Sequence, residues 1–160
     1  MSRHWWIAIV AFVIAAAALA AVVIVAALGP VTAGSPGKGL GAGERIFLYG
    51  LDTSGNPVPR TGGGMMGMRS GCAACHGSDA RGRTTRMFTA PDITYGNLTD
   101  PNGMVEPDGM RGQTYTDAEI RTAVIRGNDP SGERLAWPMP RWNLTDAEWN
   151  DLLSYLKTLP

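Results

Sequence analysis

The sequence predicts an all-α domain preceded by a single transmembrane helix. An uncharged N-terminal run extends from Trp5 to Leu28, and two later segments begin with the same helix-start sequence, Thr-Asp-Ala-Glu. No segment shows the alternation of apolar and polar residues that predicts a half-buried strand. The 160-residue chain has 14 basic and 14 acidic side chains. This balanced charge gives no electrostatic reason to expect a nucleic-acid partner.

The N-terminal run predicts a membrane anchor over residues 5–28, after a cytoplasmic N-terminus at residues 1–4. As a helix it would be roughly 36 Å long, enough to cross a hydrocarbon core of about 30 Å. Trp5 and Trp6 stand at its start, where indole rings favour the membrane interface. A cleaved signal peptide is the alternative, but its apolar region normally has only about 7–15 residues.

Residues 29–43 are dominated by Gly and Pro and predict a flexible linker to a domain at residues 44–160. In that domain, a first short helix is expected from Glu44 to Tyr49. An irregular segment, residues 51–69, follows because it is rich in turn-forming residues. A second short helix should carry residues 72–76.

Two longer helices are predicted by the repeated start sequence. Thr116 and Thr145 each begin a capping box, in which Thr and the following Glu satisfy each other's free amides. The first of these helices should end before Gly127, a residue suited to the left-handed conformation. The second carries an apolar stripe formed by Trp149, Leu152, Leu153 and Leu156.

The motif Cys72-Ala73-Ala74-Cys75-His76 uses both cysteines of the chain. C-x-x-C-H is the signature of c-type haem attachment, in which two thiols bond to the haem and the histidine binds its iron. A redox dithiol would need a βαβ context, and a structural zinc site would need four ligands. The only other histidine, His4, lies before the anchor. The motif predicts one haem c, covalently bound through Cys72 and Cys75, with His76 as an iron ligand.

Methionine is the remaining common choice for the second iron ligand. Met139 is favoured because Pro138 and Pro140 restrict the backbone on either side of it. A thioether suits low-spin iron in electron carriers, although core filling is the general alternative for any methionine. The less favoured candidates are Met65, Met66, Met68, Met87, Met104 and Met110.

Haem of this type is attached on the exported side of a membrane, which indicates the orientation of the chain. The expected location is the inner (cytoplasmic) membrane, crossed once, with the N-terminus cytoplasmic and the haem domain periplasmic. Flanking charge alone is a weak guide, because Arg3 precedes the anchor and Lys38 and Arg45 follow it.

Four motifs together carry a family resemblance: Cys72–His76, Ala90-Pro91-Asp92-Ile93, Met139-Pro140 and Tyr155-Leu156-Lys157. With them, residues 43–160 resemble the class I monohaem cytochrome c family. The resemblance implies an all-α, cytochrome c-like fold around one haem, with the first and last helices crossing.

The resemblance also implies roles for particular residues. Gly43 and Phe47 match positions in the first helix, and Leu152 and Tyr155 match their partners in the last. The Pro91 carbonyl would accept the Nδ1 proton of His76. The segment 51–69 departs from the family pattern. It is interpreted as a surface loop, with a haem cover or a docking surface as alternatives.

Electron transfer is the predicted function, either as a haem subunit of a respiratory or photosynthetic membrane complex or as a tethered shuttle between complexes. A haem enzyme or gas sensor with an open sixth iron position is the alternative from another class. No small-molecule substrate is evident. The basic group Arg81, Arg83 and Arg86 is a candidate docking site for an acidic redox partner. Candidate hydrogen-bond partners for the haem propionates are Tyr95, Tyr115, Arg126 and Trp142.

Overall fold

The structure is a computed structural model of the chain, and it describes residue 37, residues 39–63 and residues 70–160. These residues belong to one compact unit, Ser35–Pro160. The predicted anchor at residues 5–28 lies outside them, as does most of the predicted linker. Within the described ranges, no helix combines the length and apolar character needed to cross a membrane.

Five helices and four two-residue strands make up the regular structure of the described residues. In chain order they are α1 (Ala42–Tyr49), β1 (Arg60–Thr61), α2 (Ala73–His76), β2 (Arg83–Thr84), β3 (Thr89–Ala90), α3 (Tyr95–Leu98), α4 (Asp117–Ile125), β4 (Arg141–Trp142) and α5 (Asp146–Leu156). β1 pairs with β4 and β2 pairs with β3, both antiparallel. The fold is mainly helical, as predicted. Strands this short carry no alternation from which sequence analysis could find them.

α1 begins at Ala42, so its first turn includes residues that sequence analysis assigned to the linker. Gly41 precedes the helix in an extended conformation, with φ −61° and ψ 158°. The helix ends at Gly50, whose φ of 66° is left-handed and whose N–H donates to the Ile46 carbonyl. Only the start of this helix differs from the prediction, because helix boundaries depend on backbone contacts as well as on composition.

α4 and α5 begin where their sequences predict. Both capping boxes are present, with the backbone N–H of Thr116 donating to Glu119 and that of Thr145 donating to Glu148, each at 2.8 Å. Gly127 lies just past the end of α4 with a φ of 72°. The predicted start and end signals are therefore confirmed.

α1 and α5 cross in close contact, as the family resemblance implies. A Cβ atom added at Gly43 would lie 2.0 Å from the carbonyl oxygen of Asp151, so only glycine permits this approach. One turn further, the rings of Phe47 and Tyr155 lie 5.5 Å apart at a tilt of 51°. Phe47 and Leu152 are fully buried beside the crossing. This helix pair forms one side of the hydrophobic core.

The described part of the segment 51–69 is mostly exposed, as expected of a surface loop, but it is fixed to the fold at Val58 and β1. Val58 is a core residue, exposed over only 4% of its surface, and its N–H donates to the Gly50 carbonyl at 2.8 Å. The N–H of Asn143 donates to the Pro59 carbonyl, also at 2.8 Å. β1 then pairs Arg60 with Trp142. The segment thus connects α1 to the strand that follows Met139.

Candidate haem site

α2 carries the Cys72–His76 motif, with Cys72 at its N-cap position. The backbone just before the motif packs directly on α1. A Cβ atom at Gly71 would lie 2.1 Å from the carbonyl oxygen of Phe47. Glycine at this position therefore lets the motif lie against the helix that crosses α5.

His76 is buried and held in one orientation. The residue is only 7% exposed, and its Nδ1 lies 2.9 Å from the carbonyl oxygen of Pro91. A carbonyl can only accept, so Nδ1 carries the proton and the lone pair is on Nε2. Burial lowers the pKa of His76, although the hydrogen bond to Pro91 opposes that shift. The neutral ring with a free Nε2 is the form that binds metals.

Two residues that sequence analysis missed allow Pro91 to approach His76. Gly82 has a φ of 85°, and a Cβ atom there would lie 2.5 Å from the Ala90 carbonyl oxygen. Ala80 is fully buried in a left-handed conformation, with φ 63°, and its carbonyl accepts the Ile93 N–H at 2.7 Å. Nothing in a glycine or an alanine within a loop reveals such a contact from sequence alone.

A side-chain network holds the segment that follows Pro91. Asp92 accepts hydrogen bonds from the backbone N–H and the hydroxyl of Thr94, at 2.8 and 2.7 Å. Asn97 donates to the backbone carbonyl of Asp92 at 2.9 Å. Thr94 is also the N-cap of α3. Sequence analysis did not predict this helix, because Gly96 and Asn97 are poor helix formers.

The two thiols are unpaired and partly buried. Burial raises the pKa of the Cys72 thiol to about 12. Redox-active dithiols instead have a thiol with a lowered pKa, because the thiolate is the reactive species. Burial therefore disfavours the reactive thiolate of Cys72.

Met139 lies partly buried against the same hydrophobic core that receives Cys72. Its N–H donates to the Ala136 carbonyl at 3.1 Å, closing a turn, and its own carbonyl accepts a hydrogen bond from Arg141. Among the other candidates, Met104 is a core residue, and Met87 and Met110 are exposed over 76% and 65% of their surfaces. Met65, Met66 and Met68 lie outside the described residues.

Two of the candidate propionate partners form other contacts. The Tyr95 hydroxyl donates to Asp117 at 2.8 Å, which uses its only proton, and the Lys157 ammonium lies 4.9 Å from the centre of its ring. Trp142 is buried in the core with the Arg60 guanidinium 4.6 Å from the centre of its ring. These contacts connect helices and strands of the fold.

The other two candidates differ in exposure. Tyr115 is buried, and burial raises the pKa of its hydroxyl to about 12, with Asp129 as the next contribution. Arg126 is exposed at the end of α4.

Three features fit a covalently bound c-type haem: a His76 tautomer whose Nε2 can bind a metal, two unpaired thiols one helical turn apart, and the haem-attachment motif that contains them. The fold and site thus define a c-type haem protein. A family profile described as Cytochrome c matches residues 61–160, and the chain therefore belongs to the cytochrome c family. Membership implies single-electron transfer by a haem c held through Cys72 and Cys75. No curated protein and no solved structure matches the chain.

Proposed function

We propose that this chain is a membrane-anchored monohaem cytochrome that passes single electrons as the haem subunit of a respiratory or photosynthetic complex. The family supports single-electron transfer by haem. The uncharged run at residues 5–28 supports the anchor, since its length suits a bilayer. The haem domain would then lie on the periplasmic side of the inner membrane, with the N-terminus in the cytoplasm.

The hydrogen bond between His76 and Pro91 is the observation that carries the proposal. It fixes the ring tautomer, so that Nε2 is available as the proximal ligand. We assign Met139 as the second residue that would bind the haem iron. Its flanking prolines and the hydrogen bond to Ala136 stiffen the loop that carries it. When bound, haem supplies the reversible one-electron change of iron. The chain's contribution is to hold both ligands in place in either oxidation state.

The β2–β3 hairpin is proposed as the docking site for an acidic redox partner. Arg81, Arg83 and Arg86 are all exposed on or beside this hairpin. The Arg83 guanidinium also reaches the Ala74 carbonyl, at 3.5 Å, within the haem-attachment motif. The positive charge therefore lies next to the motif, where it would steer an acidic surface towards the haem.

A methionine series tests the ligand assignment. Optical spectra of the full-length protein and its Met139→Ala variant are recorded in both oxidation states, with and without carbon monoxide. We expect a low-spin wild type that does not bind carbon monoxide and a variant that does. Met110→Ala is the matched control, because Met110 is exposed. A Met139→Ala variant with the wild-type spectrum would refute the assignment.

The same spectra separate electron transfer from the alternative functions. An electron carrier keeps both axial positions filled, whereas a haem enzyme or gas sensor has an open or easily displaced sixth position. If the wild type already binds carbon monoxide readily, the electron-transfer proposal is wrong and the enzyme or sensor class takes its place.

Extraction with a mild detergent, followed by native gels stained for haem, tests the anchor and the complex. We expect the haem in the membrane fraction and then in a large, stable assembly. Haem in the membrane fraction but in a free small species would instead identify a tethered shuttle. Haem in the periplasmic fraction without detergent would contradict the anchor.

A further inference from the structure

Arg141 connects the two ends of the loop that carries Met139. One terminal nitrogen, Nη2, donates to the Leu135 carbonyl at 2.9 Å, and the other, Nη1, donates to the Met139 carbonyl. Between these two carbonyls the chain makes the turn closed by the Met139 N–H and Ala136. A single planar guanidinium thus spans the loop, which Arg does better than Lys because its donors are fixed in a fork.

The end of α4 supports this guanidinium from one side. A Cβ atom at Gly127 would lie 1.6 Å from Nε of Arg141, so the side chain lies directly on the glycine backbone. The Gly127 carbonyl also accepts the Leu135 N–H at 2.9 Å. Gly127 therefore ends the helix and makes room for Arg141. The loop is fixed to α4 through both contacts.

The segment between α1 and α2 supports the loop from the other side. β1 pairs Thr61 with Arg141, and a Cβ atom at Gly63 would lie 3.0 Å from Cβ of Pro140. Arg60, beside Thr61, donates to the Ser70 carbonyl just before the haem motif. The chain segments before Cys72 and after Met139 are thereby joined through β1 and β4.

We propose that Arg141 is a positioning residue for the Met139 sulfur, and that it keeps the thioether on the iron by closing the 135–139 loop. The proposal rests on the assignment of Met139 as an iron ligand. A thioether is a soft, neutral ligand that competing nitrogen ligands can displace. A loop held at both ends keeps the sulfur close to the iron after each dissociation, which favours rebinding over replacement.

Displacement of the methionine by imidazole tests the proposal in the oxidised full-length protein. Arg141→Lys keeps the charge but loses the fork, and Arg141→Gln also loses the charge. We expect imidazole to bind about tenfold more tightly to Arg141→Lys, which corresponds to the loss of one charge-assisted hydrogen bond. The effect should be larger in Arg141→Gln. The Arg134→Lys variant is the control, because Arg134 is an exposed arginine in the same stretch.

A double-mutant cycle distinguishes positioning from a general structural effect. If Arg141 acts through Met139, Arg141→Lys changes imidazole affinity in the wild type but not in the Met139→Ala background. An equal change in both backgrounds would overturn the proposal. Amide hydrogen exchange adds a readout independent of the haem spectrum. We expect faster exchange at Met139 in Arg141→Lys and no change in Arg134→Lys.

The outcomes also separate this proposal from the ligand assignment. A Met139→Ala variant with the wild-type spectrum refutes the assignment and the positioning role together. If Met139→Ala opens the sixth position but both Arg141 variants keep the wild-type affinity for imidazole, the positioning role alone is wrong. If Arg141→Gln does not fold, Arg141→Lys carries the comparison.

Discussion

At the scale of single residues, the site depends on backbone atoms as much as on side chains. His76 is oriented by a carbonyl, and the loop of Met139 is closed through carbonyls of Leu135 and Met139. Such contacts leave little trace in the sequence, because every residue has a carbonyl. The residues that reveal them are those without a side chain, such as Gly82 and Gly127, where a Cβ atom would collide with a neighbour.

Gly82→Ala is expected to displace Pro91 from His76. The added Cβ would lie within 2.5 Å of the Ala90 carbonyl oxygen, so the backbone around Pro91 must shift. Loss of the hydrogen bond makes His76 a weaker donor to iron, and the reduction potential should become more positive. Potentiometric titration of the haem measures this change.

Gly109→Ala is the matched control for Gly82→Ala. Gly109 has a similar φ of 82°, but nothing lies within 4 Å of an added Cβ. It should share the backbone strain and leave the reduction potential unchanged. Equal potentials in the two variants would show that the contact with Pro91 does not tune the iron.

Asp117→Asn is expected to lower stability only within a defined pH range. Hydrogen bonds from Lys157 and then Tyr95 lower the pKa of Asp117 below its ordinary value of 3.8. The hydrogen bond to Asp117 raises the pKa of Lys157 above 10.5. The ion pair between Asp117 and Lys157 therefore contributes its full stabilisation between pH 3.8 and pH 10.5, the ordinary pKa values of the two groups. It is lost as pH falls through the lowered pKa of Asp117 or rises through the raised pKa of Lys157.

Thermal unfolding at several pH values measures the effect of Asp117→Asn. The decrease in melting temperature should be small at neutral pH, since exposed ion pairs contribute little. It should disappear at low pH, where the carboxyl group is protonated in both states. Asp151→Asn is a suitable control, because Asp151 is exposed and forms none of the ion pairs found among the described residues. A difference that persists unchanged in acid would contradict the electrostatic account.

At the scale of elements, local signals explain which parts of the fold were predictable. The two capping boxes and the apolar stripe of α5 are encoded within a few residues, and both helices begin as predicted. β1 and β4 depend on a partner about eighty residues away in the chain, and each has only two residues. The contact of the 51–69 segment with the Met139 loop was not predicted for the same reason, because that contact is not local.

The residues of the candidate site also divide into those that the sequence indicates and those that only the fold reveals. The haem motif was recognised from residue type and spacing, and Met139 was proposed as an iron ligand from its two flanking prolines. The Pro91 contact came from the family resemblance, and the structure contains it at 2.9 Å. Arg141 gave no signal in the sequence, because an arginine near a turn is ordinarily a solvated charge. Only the fold brings its guanidinium onto Gly127 and the carbonyl of Leu135.

Gly43→Ala is expected to separate α1 from α5. The added Cβ would lie 2.0 Å from the Asp151 carbonyl oxygen, and neither backbone can move without disturbing the core. The free energy of unfolding should fall by about 3 kcal/mol, the upper end of the usual cost of overpacking. Chemical denaturation measures this. Gly96→Ala, in helix α3 with nothing within 4 Å of the added atom, should be neutral or slightly stabilising. Similar stabilities of the two variants would refute the close crossing.

At the scale of the whole molecule, the balanced net charge conceals a local excess of positive charge. The chain has equal numbers of acidic and basic side chains, yet Arg81, Arg83 and Arg86 lie together near the haem motif. Local charge governs encounters at short range, because salt screens interactions beyond about 10 Å at moderate ionic strength. A net charge of zero is therefore compatible with the proposed docking of an acidic partner.

Reversal of charge in the double variant Arg83→Glu/Arg86→Glu tests this expectation. At low salt, reduction by an anionic complex such as ferrocyanide should slow several-fold, and reduction by a cationic ruthenium ammine should accelerate. Both effects should decrease as salt is added. Stopped-flow absorbance of the haem measures the rates. Arg134→Glu is the control for a change of charge elsewhere. Equal effects of the two changes would exclude a localised docking site.

The contact between Gly43 and Asp151 also bears on the order of events during biosynthesis. It joins residues near the two ends of the haem domain, so the domain cannot close until its last helix has left the ribosome. The Cys72–His76 motif emerges well before that. In the closed domain, burial raises the pKa of the Cys72 thiol and so disfavours its reactive thiolate. We therefore expect thioether formation to precede closure, while the thiols are still open to solvent. The order of maturation would then be emergence of the Cys72–His76 motif, attachment of the haem, and closure of the domain by its last helix.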